Sequence, residues 1–98
     1  MEQVWITLAE VGMEPEDMPS GDTLGFMWAT LWASSAEDLS QRLEAYLGKY
    51  RWALLGMENT QIADSSSDRG DEVNRMIDET LLDRNAIRLG TYYSYKPN

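Results

Sequence analysis

Apolar and polar positions alternate from Gln3 to Val11, with Val4, Ile6 and Leu8 on one side and Trp5, Thr7, Ala9 and Val11 on the other. A period of two predicts a strand. From Gly12 to Gly25 the pattern dissolves into a stretch holding Pro15, Pro19, Gly21 and four acids, too long for a hairpin turn and read as a loop. Alternation returns from Leu24 to Ala33, now with both sides apolar: Leu24, Phe26, Trp28 and Trp32 point one way, and Met27, Ala29, Leu31 and Ala33 the other. Such a strand must be covered on both faces.

The period then changes. Ser34, Ser35, Ala36 and Glu37 fit a capping box with Ser34 as the cap, in which a hydroxyl and a carboxylate three residues later satisfy free helix N–H groups. Ala36, Leu39, Leu43, Tyr46, Leu47 and Tyr50 follow at helical spacing, with Gly48 as a left-handed stop. A third strand is expected over Arg51 to Ile62, Trp52 and Leu54 opposing Ala53, Leu55 and Met57, with a bulge or bend at Gly56 or at Glu58 and Asn59. The serine-rich stretch Ala63 to Gly70 reads as a loop. Asp71 and Glu72 open a second helix with a buried stripe of Val73, Met76, Ile77, Thr80 and Leu81, stopped near Asn85. A last strand is expected from Ala86 to Tyr95.

The order ββαβαβ in 98 residues predicts a single α+β domain over residues 1–98. The expected form is a two-layer sandwich: a mixed, roughly four-stranded sheet carrying two helices on one face. In architecture this is similar to the ferredoxin-like fold, with a different strand order. Two helices on one face would leave the other face open, and the bulky row Phe26, Trp28 and Trp32 is expected to point there as an interaction surface. A homodimer hiding part of that row is the simplest way to cover it.

Composition narrows the chemistry. Cysteine and histidine are absent, which excludes disulfides, thiolate zinc sites and the Ser-His-Asp and Cys-His mechanisms. No cofactor or metal is implied by any motif, and no catalytic residue is assigned. The segment Asp64 to Glu72 resembles a calcium loop only superficially, since aligning Gly70 with the invariant glycine puts Ser65, Ser67, Arg69 and Met76 at ligand positions. Carboxylate pairs such as Glu14 with Glu16 and Asp17, or Asp78 with Glu79 and Asp83, fall in a loop or on the polar side of a helix, where solvated charge is expected. Glu72 with Arg75, and Asp38 with Arg42, have the spacing of helix ion pairs.

The net charge is −9, and it is unevenly placed. From Met1 to Gln41 there are eight acids and no Lys or Arg, whereas the remainder holds nine acids and all eight bases. Such a field opposes nucleic acid and anionic membranes and favours a basic protein partner. No apolar run approaches the length of a membrane helix, and a cytoplasmic location is expected. The expected function is that of a small acidic, non-catalytic interaction or regulatory domain, antitoxin-like or immunity-like in composition only. Its candidate partner-binding residues are Phe26, Trp28, Trp32, Glu14, Glu16, Asp17 and Asp22. The alternative is a ligand-binding or enzymatic domain using carboxylates and tyrosines, for which the hydroxyl-rich end Thr91 to Pro97 offers a binding edge.

Overall fold

A computed structural model describes residues 1–13, 24–63 and 68–94. The two alternating segments become β1 (Gln3–Gly12) and β2 (Leu24–Ala33). They pair antiparallel without a break, from Gln3 opposite Ala33 to Gly12 opposite Leu24. An unbroken register preserves parity. Trp5, Thr7, Ala9 and Val11 therefore share one face with Leu31, Ala29, Met27 and Gly25, and Val4, Ile6, Leu8 and Glu10 share the other with Trp32, Thr30, Trp28 and Phe26.

The remaining strands complete a sheet of order β3-β1-β2-β4, with β3 at Ala53–Ile62 and β4 at Ile87–Leu89; β5, Tyr93–Ser94, also pairs with β2. Every pairing is antiparallel, so the expected mixed sheet is corrected. The reason is the strand order: β2 and β3 are parallel to each other but lie on either side of β1 and never meet. The expected last strand is two short pieces separated at Gly90. Gly90 donates its N–H to the Trp28 carbonyl at 2.8 Å, and a Cβ there would meet Glu72 and Met76 on the second helix.

A bulge is expected in β3 at Gly56 or at Glu58 and Asn59, and irregularities occur at both places. The register shifts between Glu10 opposite Gly56 and Val11 opposite Leu54, and again between Ile6 opposite Gln61 and Leu8 opposite Glu58. At the second shift Asn59 takes φ 53°, a conformation asparagine tolerates, and the Thr7 and Thr60 hydroxyls bond at 2.8 Å. The first shift brings Leu54 and Met57 onto the same face, although simple alternation sets them on opposite ones.

Helix α1 spans Ala36–Gly48 and α2 spans Asp71–Leu82. The cap of α1 is Ser35, one residue later than expected: its hydroxyl accepts the Asp38 N–H at 3.1 Å, and Asp38 Oδ2 accepts the Ser34 N–H at 2.9 Å. Nor is Gly48 the left-handed stop. The chain reverses at Arg51, with φ 62°, while the Trp52 and Arg51 N–H groups return to the Leu47 and Gly48 carbonyls, the bonding of a Schellman end.

The helices lie on opposite faces. Leu39, Leu43 and Leu47 of α1 pack on Ala9, Val11, Met27, Ala29, Leu31 and Ala33, all buried. Val73 and Ile77 of α2 pack on Ile6 and Trp28, and the Thr30 and Thr80 hydroxyls bond at 2.7 Å. Since Trp28 and Thr30 have opposite parity to Ala29 and Leu31, the sheet is sandwiched between the two helices. The two-layer, ferredoxin-like arrangement with both helices on one face is thus corrected to three layers. The physical reason is β2 itself: a strand apolar on both sides is covered on both sides within this chain.

Candidate functional site

The sequence-derived candidates separate at once. Glu14, Glu16, Asp17 and Asp22 lie outside the described residues. Phe26, Trp28 and Trp32 do share one face, opposite α1, but that face is not open where the indoles lie. Trp28 is half-buried against Ile6, Val73 and Ile77, and the Trp32 indole N–H donates to the Thr80 carbonyl at 2.7 Å. Phe26 lies opposite Tyr93 of β5. The uncovered face from which a homodimer was expected is therefore occupied by α2 over the tryptophans.

The bond network around the remaining charged groups is mostly structural. Arg42 bridges Glu2 at 2.6 Å and Asp38 at 3.1 Å and donates to the Trp32 carbonyl at 3.1 Å; the bond to Glu2, foremost, holds its guanidinium in the charged form. The expected pair of Glu72 with Arg75 does not form. Glu72 instead accepts the Thr91 N–H, tying α2 to the chain beyond β4. Asp68 accepts the Gly70 N–H and the Asn74 amide, both at 3.0 Å, so the described end of the calcium-like segment serves the start of α2. The Ser34 N–H lowers the Asp38 carboxyl below its ordinary range, and the Gly70 N–H does the same for Asp68. Both shifts favour carboxylate, opposite to what a general acid needs. Among the described residues no group of three or more carboxylates could hold a metal, and no helix is long and apolar enough to cross a membrane.

Two clefts flank the short strand β4 and meet at Tyr46 and Ile87. The larger, about 690 Å³, runs between α2 and β4. Met76, Ile87 and Leu89 supply its apolar surface and Asp71, Glu72 and Glu79 its acids, with Arg75 and Arg88 also present. Arg88 is held by Glu79 at 3.3 Å. The smaller, about 370 Å³, lies between α1 and the turn before β4; it contains Arg42, Lys49 and Arg84 and no acid. Tyr46, shared by both, has its hydroxyl pKa raised by a bond to Tyr50 and then by burial; its ring belongs to a run in which Tyr46, Tyr50 and Trp52 lie 5.7 and 5.0 Å apart.

The sequence reading missed both clefts. Arg42 and Lys49 are seven residues apart, two helical turns, which places them on one side of α1 and was the available signal. Arg84 joins them only through the tertiary fold. No protein-family model, curated protein or solved structure matches the chain.

Proposed function

We propose that the protein is a non-catalytic interaction domain that binds a basic, extended segment of a partner protein along β4. The observation that carries this reading is the larger cleft, whose apolar lining of Met76, Ile87 and Leu89 lies beside the carboxylates of Asp71, Glu72 and Glu79. Among the described residues β4 is bonded on one side, to β2, so its outer edge can add a strand through backbone hydrogen bonds while alternate side chains enter the cleft. The net charge of −9 would draw a basic chain toward the domain before contact.

The test uses a defined probe. A short peptide alternating lysine and valine, titrated into the isotope-labelled full chain, is expected to shift the amides of Ile87, Arg88 and Leu89. The same peptide with glutamate for lysine should not. The double variant Asp71→Lys with Glu79→Lys should weaken binding at least about tenfold through the loss of complementary charge. Equal response to both peptides, or shifts confined to other strands, would contradict the reading.

A further inference from the structure

We propose that the smaller cleft is a separate binding site for a small organic anion, its carboxylate or phosphate taken by Lys49 and Arg84 and its apolar part by Ala45, Ala86 and Ile87. The wall composition is the first observation: three cations and no acid, in a chain where acids outnumber bases 17 to 8. The second is how those cations are held. Arg42 is already neutralised by Glu2 and Asp38 and fastened to the Trp32 backbone, so it builds the wall and leaves no charge unmatched.

Lys49 and Arg84 differ from it. Neither has a carboxylate within 4 Å among the described residues; each is placed by an aromatic ring, Arg84 at 4.5 Å from the Trp32 centroid and Lys49 at 5.7 Å from that of Tyr46. A cation placed over a ring is oriented without consuming its N–H donors. The Trp32 ring is itself fixed by the bond from its indole N–H to Thr80, which makes it a firm support for the guanidinium. The helix dipole accounts for a lysine just past the end of α1, but it does not account for Arg84, which reaches the same cleft from another element. A volume of about 370 Å³ suits a small metabolite. The long-range field of the acidic chain opposes nucleic acids and other polyanions, leaving one or two charges as the accommodated load.

Benzoate and inorganic phosphate serve as the two probes, titrated separately into the isotope-labelled full chain at constant ionic strength set with chloride. Expected is a saturable shift of the Trp32 indole N–H with at least one probe. Tighter benzoate binding assigns the site to carboxylates with a flat body, and tighter phosphate binding to phosphate esters. Lys49→Gln and Arg84→Gln should each weaken it about tenfold or more, as for loss of one charged hydrogen bond. Arg75→Gln, in the neighbouring cleft, should leave it unchanged. Because these readouts are independent of the lysine-valine peptide, either site can fail alone. Shifts that never saturate with either probe, or that persist in both glutamine variants while their amide spectra show an intact fold, would overturn the proposal.

Discussion

The two faces of the sheet are covered by helices of similar length, yet they are held by different means. Beneath α1, three leucines with no exposed surface meet Ala9, Ala29 and Ala33, also wholly buried. Small residues on the strands let the helix approach closely, and cohesion comes from shape and apolar burial. Beneath α2 the buried aliphatics are fewer. A substantial part of the contact is polar: Thr30 to Thr80, each hydroxyl within reach of the Met76 carbonyl, and Trp32 to the Thr80 carbonyl. All the buried side-chain polar atoms among the described residues are bonded, so this face gains orientation from its hydrogen bonds and is vulnerable where one partner is removed. Both clefts border β4, where the edge of the sheet is a three-residue strand, whereas β3 carries ten residues along the opposite edge.

The largest expected effect lies on the α1 face. Leu43→Ala should cost about 2–5 kcal/mol in urea unfolding, because the cavity opens where neighbouring alanines cannot collapse into it. On the α2 face, Thr80→Val should cost about 0.5–1.5 kcal/mol by removing its hydroxyl bond to Thr30, whose hydroxyl keeps the Met76 carbonyl within reach. If polar pairing is what distinguishes that face, adding Thr30→Val should cost less than it does alone, because the bond between the two hydroxyls is already gone. A double variant whose cost equals the sum of the singles would erase the distinction.

Helix ends give effects of similar size. Ser35→Ala should cost about 0.5–2 kcal/mol. Ser34→Ala should cost less, because the backbone N–H that bonds Asp38 survives the substitution. Equal costs would return the cap to Ser34. The smallest effect is pH-dependent. The folded-state pKa of Asp38 is lowered, chiefly by the Ser34 N–H, so the stabilisation is fully present above the unfolded carboxyl's pKa of about 4 and is lost as pH falls through the folded value. An acid titration of stability in Asp38→Asn should lack this part of the decline.

Much of the fold was legible because it is local. The parity of β2 correctly put Met27, Ala29, Leu31 and Ala33 on one face and Phe26, Trp28 and Trp32 on the other, and Gly56 or Glu58 and Asn59 marked where β3 would be irregular. What could not be read is tertiary. Periodicity marks the stripe of Val73, Met76 and Ile77 but not the sheet face that receives it, and Leu81, included in that stripe, is 51% exposed. The turn at Arg51 was hidden because a non-glycine residue takes the left-handed conformation there. For the site the limit is similar: Lys49 and Arg84 are 35 positions apart in the chain and share a cleft only because the edge strand returns beside α1.

Opposite coverage of one sheet by two helices is what half-buries Trp28 and Trp32 beside α2, and it is the premise of the binding proposed along β4. Isotope-filtered nuclear Overhauser measurements, which separate contacts within a chain from those between copies, test it most directly. The account predicts intrachain contacts from the Trp28 ring to the Val73 and Ile77 methyls, and from Ala29 to the Leu43 and Leu47 methyls. Contacts from Trp28 to the α1 leucines, or contacts to Val73 and Ile77 found only between copies, would contradict it.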